Sequence, residues 1–214
     1  MLVKRVMSEN PVVVHPDASI SEVRSLMERE KVGHIPVLDK AGALAGIITR
    51  KDVAKAEPSA ATSLDVHEIG YLLSKITVKT AMQKNVVSVD ENEVIEEAAR
   101  IMADRAIGCL PIMRGGLLVG IITDTDLFRI FVDALGAREA GVRITCDIEE
   151  KPGQIAKLAQ TIAEKGGNIV SFITFDGRDR KCRRVTLKIQ GLSLAEIEAV
   201  AKSFPGLVCE DIRE

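Results

Sequence analysis

The sequence predicts an α+β protein with two copies of a strand–helix–strand–strand–helix unit, followed by a ferredoxin-like βαββαβ unit. Three observations predict it. The chain matches itself: with a shift of 75, Val3 falls on Val78, Lys4 on Lys79, Met7 on Met82, Val12 on Val87, Ile20 on Ile95, Met27 on Met102, Gly33 on Gly108 and Pro36 on Pro111. After a one-residue deletion the shift is 74, and Leu44-Ala45-Gly46-Ile47-Ile48-Thr49 meets Leu118-Val119-Gly120-Ile121-Ile122-Thr123, with Asp52 on Asp126. Each copy places a helical apolar period before two short apolar strands. After Gly136 the pattern changes to alternating strands and two amphipathic helices. The boundaries follow as residues 1–56 and 78–134 for the two copies, 57–77 as connector, 135–141 as linker and 142–214 as the last domain.

The elements can be justified in order. Ser19-Ile20-Ser21-Glu22 has capping-box spacing, and Ile20, Val23, Leu26 and Met27 continue it as a helix over about 20–31. Ile35–Leu38 and Leu44–Thr49 are short strands around a Gly-containing turn, and a helix begins near Arg50. The second copy repeats this with a helix near 93–105, strands near 109–113 and 117–123, and a helix near 124–134. Val66–Leu73 in the connector reads as a short helix, and His67 on it as a surface or capping residue, with no second ligand at i+4. Val142–Ile148 alternates like a half-buried strand. Pro152 suits a first helical turn, Ile155, Leu158, Ala159 and Ile162 keep helical spacing, and Gly166-Gly167 stops the helix. Strands over 168–175 and 182–189 flank a polar hairpin tip, then come a helix over 194–203 and a strand over 207–212.

Composition bounds the function. The 214 residues carry 29 Lys+Arg against 31 Asp+Glu, so the chain lacks the basic field of a nucleic-acid binder. Five Phe, one Tyr and no Trp leave few rings for base stacking. No apolar run reaches the roughly 18 residues of a membrane span, and Met1–Met7 does not read as a signal peptide. Cys109, Cys146, Cys182 and Cys209 are scattered, which points to reduced thiols in a cytoplasmic protein. His15, His34 and His67 are scattered too, so no metal site is expected. Arg178, Arg180, Lys181, Arg183 and Arg184 cluster locally, but residues 143–214 balance 12 cations with 11 anions, and a solvated hairpin tip is the better reading.

Thr49 and Thr123 each end a strand and begin a helix, with Asp52 and Asp126 three residues on. Free N–H groups and the dipole at such a helix start favour a phosphate, and the carboxylate can accept from ribose hydroxyls. Gly46 and Gly120 permit close backbone approach. The same residues also read as simple caps. Arg50-Lys51 follow the first Thr, whereas Asp124-Thr125 follow the second. The first motif is therefore expected to take the more highly charged ligand, and the second a less charged one or none.

These motifs resemble tandem CBS domains paired in a Bateman module. The carrying residues are Met7…Pro11-Val12-Val13-Val14, His34-Ile35-Pro36-Val37-Leu38-Asp39 and Gly46-Ile47-Ile48-Thr49-Arg50-Lys51-Asp52. Their second copies are Met82…Val86-Val87-Ser88-Val89, Cys109-Leu110-Pro111-Ile112 and Gly120-Ile121-Ile122-Thr123-Asp124-Thr125-Asp126. The resemblance implies an adenosine-containing effector such as AMP, ADP, ATP, NAD or S-adenosylmethionine, and no required cofactor. It places the contacts at Val14, Ile35, Pro36, Thr49, Arg50, Asp52, Val89, Leu110, Pro111, Thr123, Asp124 and Asp126.

Residues 142–214 resemble an ACT domain through Glu150-Lys151-Pro152-Gly153-Gln154-Ile155 and Gly166-Gly167-Asn168-Ile169. That resemblance implies amino-acid binding, often at a dimer interface, with Gly153, Gln154, Asn168 and Ile169 as candidates. Ordinary helix punctuation explains the same residues. The CBS–CBS–ACT order is similar to bacterial acetoin-utilisation accessory proteins. The reading is a non-enzymatic, cytoplasmic, homodimeric sensor that signals to a partner enzyme, without nucleic acid or membrane. No G-x-S-x-G, H-E-x-x-H or Walker A motif is present. The alternatives are a ligand-free dimerisation scaffold and a nucleotide-hydrolysing enzyme.

Overall fold

The computed structural model describes residues 1–56 and 75–214. The expected connector helix over 66–73, with His67, lies outside them. The chain divides into two compact units, Met1–Leu127 and Phe128–Glu214.

The first unit opens with a 3-10 turn, Val3–Arg5, and strand β1, Ser8–Glu9. Helix α1 spans Ile20–Arg29 and is closed by the expected capping box. The Glu22 N–H donates to Ser19 Oγ at 3.2 Å, and the Ser19 N–H donates to the Glu22 carboxylate at 2.7 Å. The helix stops two residues short of the expected end, because Lys31 turns left-handed at φ 55°. Strands β2 (His34–Leu38) and β3 (Leu44–Thr49) and helix α2 (Arg50–Ala56) complete the first copy. The second copy supplies α3 (Val78–Ala81), β4 (Val89–Asp90), α4 (Ile95–Arg105), β5 (Cys109–Arg114), β6 (Leu117–Thr123) and the first turn of α5 (Asp124–Ala134), a helix that continues into the second unit from Phe128.

The two copies exchange their opening segments. β1 pairs antiparallel with β6, matching Ser8 to Ile121 and Glu9 to Gly120. Reciprocally, Gln83 bridges Ile47 on β3, with both N–H···O bonds at 2.9 Å. The hydrogen bonds around the openings repeat the exchange. The Val3 N–H donates to Glu93 O at 2.9 Å and the Ile95 N–H to Met1 O at 3.0 Å. Their equivalents are the Val78 N–H to Ala18 O and the Ile20 N–H to Ile76 O, both at 2.9 Å. Val78 accordingly packs in the first copy's core with Ile20, Val23, Met27, Ile35, Val37, Ile48 and Val53. The first copy also gains a parallel bridge from Val14 to Val37, which matches the β4–β5 pairing of Val89 with Ile112.

The second unit follows the expected βαββαβ order: β7 (Val142–Glu149), α6 (Gln154–Glu164), β8 (Asn168–Asp176), β9 (Cys182–Gln190), α7 (Leu194–Ser203) and β10 (Val208–Arg213). The sheet order is β10-β7-β9-β8, with every pairing antiparallel. Val142, Ile144, Cys146 and Ile148 join Val185, Leu187 and Ile189 against Leu158, Ile162, Ile197 and Val200 of the helices. Here the expectation of a half-buried β7 fails. Thr145 and Asp147, on its other face, are 7% and 5% exposed. β7 is an interior strand, and its neighbours' side chains cover the middle of that face, while Arg143 and Glu149 at its ends stay accessible. Thr145 shares a 3.0 Å hydroxyl contact with Thr186, and Arg184 donates to Asp147 at 3.1 Å. The basic cluster is largely paired: Arg183 meets Glu150 at 2.6 Å, Arg184 meets Glu210 at 2.8 Å, and Arg178 lies 4.0 Å from Asp147.

Candidate functional site

Both Thr/Asp motifs form reciprocal caps. Thr49 Oγ1 and the Thr49 N–H donate to Asp52 Oδ2 at 2.6 and 3.0 Å, and the Asp52 N–H donates back to Thr49 Oγ1 at 3.2 Å. At the second motif, Thr123 Oγ1 and its N–H donate to Asp126 at 2.8 and 2.9 Å, and the Asp126 N–H returns the bond at 3.3 Å. The capping reading is thus realised in both copies. Several N–H groups at these helix starts are engaged internally, since the Arg50 and Asp124 N–H groups also donate to Gly33 O and Gly108 O at 3.0 Å.

The glycines of the motifs admit a neighbouring chain segment. A Cβ on Gly46 would lie 2.6 Å from Met82 Sδ and 2.9 Å from Gln83 O. A Cβ on Gly120 would lie 2.5 Å from Met7 Sδ and 3.1 Å from Ser8 O. The close approach expected there is that of the exchanged openings.

A cleft of about 360 Å³ lies between the copies. The first copy contributes Gly33, His34, Ile47, Thr49, Arg50 and Lys51. The exchanged opening of the second contributes Gln83 and 85–87, and the region after α4 contributes 106–109 and Pro111. Ile47 and Cys109 pack with Ile121 beneath it. Of the residues expected from sequence, the cleft therefore gathers Thr49, Arg50 and Pro111. Asp52 is 7% exposed and holds two lining residues, Thr49 and Gln83, the latter donating to it at 3.2 Å. Ile35 and Leu110 are fully buried core residues. Pro36 is buried in β2 opposite Ile47, Val14 bridges Val37, and Val89 belongs to β4. Thr123 and Asp126 stay with the second cap.

The charges at equivalent positions are opposite. The Arg50 side chain lies over Gly33, 3.8 Å from where a Cβ would sit, and its Nε donates to Val32 O at 3.3 Å. Over Gly108 lie Asp124 Oδ2 and His34 Nε2, each 3.2 Å from the corresponding point. Burial lowers the His34 pKa, Arg50 lowers it further and Asp124 opposes both. Asp52 also opposes the lowering, and the net direction favours the neutral imidazole. Burial pushes the Cys109 thiol up to about 12, with Asp124 adding to the effect, so it lines the cleft as a neutral group. His34, Gln83, the 85–87 segment and Cys109 escaped the sequence reading. His34 and Cys109 are equivalent positions of the two copies, a signal the repeat alignment already contained.

In the second unit Gly153 is the left-handed N-cap of α6 at φ 86°, and Gln154 lines a shallow groove of about 430 Å³ with Glu149, Lys157 and Phe204. Asn168 and Ile169 begin β8 opposite Gln190 and Ile189. An 11-residue helix separates the two pairs of candidates, a length of about 16 Å. One copy of the unit does not bring them together. Among the described residues no helix is long and apolar enough to cross a membrane, and no His/Cys/Asp/Glu group could hold a metal.

Comparison with known proteins gives the family. The CBS domain model matches residues 3–59 and 78–133, and the TTHA0829-like ACT domain model matches residues 140–205. The crystal structure of the CBS domain pair of protein MJ0100 in complex with 5′-methylthioadenosine and S-adenosyl-L-methionine is 29% identical. It covers 65% of this chain and 98% of that one at a TM-score of 0.52. A Vibrio cholerae protein assigned to acetoin utilization, AcuB, is 28% identical, with 65% and 96% covered and a TM-score of 0.53. CBSX2 in complex with AMP is 26% identical, with 61% and 96% covered at 0.50. Among curated proteins, L-aspartate semialdehyde sulfurtransferase of Methanocaldococcus jannaschii is 30% identical over 131 residues, 61% of this chain. Inosine-5′-monophosphate dehydrogenase of Aquifex aeolicus is 26% identical over 199 residues, 90% of it. The matches span only 23% and 37% of those two enzymes. CBS and ACT domains are regulatory domains, and relatives of the CBS pair bind adenosine compounds. The chain belongs to the CBS-domain family, as a tandem CBS pair followed by a TTHA0829-like ACT domain.

Proposed function

We propose that the chain is a non-enzymatic sensor whose Thr49 cleft takes a phosphorylated adenosine compound and passes its occupancy to a partner protein. The observation that carries this reading is the cleft itself. It is built from both copies, with Thr49, Arg50 and Lys51 on one wall and apolar Ile47, Val86, Val87, Ile107 and Pro111 on the others. At about 360 Å³ it falls in the usual range of small-molecule sites, about 300–1,000 Å³. The hydroxyl and cations suit phosphate oxygens, and the aliphatic walls suit a purine and ribose. Asp52 acts here by positioning Thr49 and Gln83. The Thr123 motif, with Asp124 where the first has Arg50, takes a less charged adenosine compound or stays empty. A ligand touching both copies shifts their arrangement by its differential affinity for the two states. Pairing of two chains follows the habit of both domain types. An amino acid at Gly153, Gln154, Asn168 and Ile169 would need a second chain to bring those residues together.

Titration calorimetry of the whole chain with AMP, ATP and unphosphorylated adenosine tests the central part. Arg50→Ala is expected to weaken AMP and ATP about 10- to 100-fold, the range of one hydrogen bond to a charged group, and to leave adenosine nearly unchanged. Equal affinities of the variant and the natural chain for all three compounds would contradict the reading.

A further inference from the structure

The second unit holds a pair of thiols with a defined mutual geometry. Cys146 lies in the middle of β7 at 0% exposure, and Cys209 is exposed on the edge strand β10. The two are direct partners across the antiparallel β10–β7 ladder. Residues opposed in this way share a face, with Cα atoms about 4.5–5.5 Å apart. A disulfide spans Cα separations of about 4.4–6.8 Å. The ladder shifts register immediately after Cys209, and such an irregularity lets the edge strand adjust locally. Cys182 is placed differently: it faces Glu149, three positions further along β7 than Cys146, about 10 Å away along the strand.

We propose that Cys146 and Cys209 form a reversible dithiol–disulfide site, oxidised by hydrogen peroxide. The Cys209 thiolate attacks one peroxide oxygen. The O–O bond breaks, and the departing hydroxide takes up a proton as water, leaving Cys209 as a sulfenic acid. The Cys146 sulfur then attacks the Cys209 sulfur. The S–S bond forms, the S–O bond breaks, and hydroxide leaves with the Cys146 proton as a second water. Two electrons have passed from the sulfurs to the peroxide, and a small thiol reverses the change. Although Cys209 is exposed, partial desolvation on the sheet raises its thiol pKa, a backbone hydrogen bond at Asp211 partly offsets the rise, and the Asp211 and Glu198 carboxylates add to it. Burial pushes Cys146 up to about 12, with Cys209 and Asp147 contributing. Oxidation is therefore slow near neutral pH and quickens as the solution becomes alkaline. Once formed, the bond pins the edge strand to the centre of the sheet.

The test treats the full chain with hydrogen peroxide, then unfolds it, alkylates remaining thiols and maps its peptides without reduction. The expected product is a linked Cys146–Cys209 peptide pair, lighter by two hydrogens than its parts and released by dithiothreitol. It should be lost in C209S, a change at an exposed position whose fold circular dichroism checks, and retained in C182S. Cys146 recovered alkylated while Cys209 proceeds to sulfinic acid would overturn the proposal. A bond joining Cys182, or two chains through Cys209, would overturn it equally.

Discussion

Asp52 is 7% exposed, yet its carboxylate accepts from Thr49 Oγ1, the Thr49 N–H and Gln83 Nε2. One anion thus joins the cap of α2 to the opening that the second copy inserts. Replacing it with Ala removes three hydrogen bonds and leaves part-buried donors short of an acceptor. Asp52→Ala is expected to cost about 1–3 kcal/mol of stability, the range of a lost cap plus an unpaired polar group. Urea denaturation checks this, and a cost below about 0.5 kcal/mol, as at an ordinary surface position, would show that the carboxylate holds nothing. Thr49 and Arg50 could be picked from sequence because they stand at fixed places in repeated motifs, and Pro111 because the resemblance to CBS domains implies it. Gln83 and its neighbours could not. They reach the cleft through a pairing between copies, and no local signal tells the partner of an opening segment. The opposed charges of Arg50 and Asp124 were visible in the sequence, but their placement over equivalent glycines was not.

Helix and strand positions followed closely from caps and periodicity: β3 and α7 begin and end where the pattern said they would. The exchange of β1 and the Met82–Gln83 segment did not follow, for a physical reason. The two copies are alike at the paired positions, Ile47 and Ile121, so pairing within a copy and pairing across copies satisfy the same apolar pattern. Only the structure shows that Gly46 and Gly120 lie under the exchanged segments. Gly46→Ala places a methyl 2.9 Å from Gln83 O, a backbone atom that cannot rotate away. The expected cost is about 1–3 kcal/mol, as for other overpacked sites. Gly33→Ala, whose Cβ would have Arg50 atoms no nearer than 3.8 Å, serves as the control. Chemical denaturation of both variants measures the difference, and equal stability would mean that the opening segments yield freely. The half-buried pattern of β7 misled for a related reason. Period-two alternation marks one apolar face but does not report that polar neighbours such as Arg184 and Thr186 close over the other.

Taken entire, the chain joins a unit of two interlocked CBS domains to a unit of ferredoxin-like topology. The shortage of aromatic rings, 3% of residues, argued against stacking platforms for nucleic-acid strands. It does not argue against a single nucleotide, since the first cleft presents aliphatic walls, a hydroxyl and two cations. A ligand that binds only the folded state stabilises it by mass action, about 2.7 kcal/mol at 100 times its dissociation constant. Thermal unfolding of the whole chain against AMP, ADP, ATP, NAD and S-adenosylmethionine is therefore the most direct measurement. A sensor of adenosine compounds must show a saturable rise in Tm with at least one of them. No rise with any of them, at concentrations into the millimolar range, would contradict the account and leave a ligand-free dimerisation scaffold as the reading that fits.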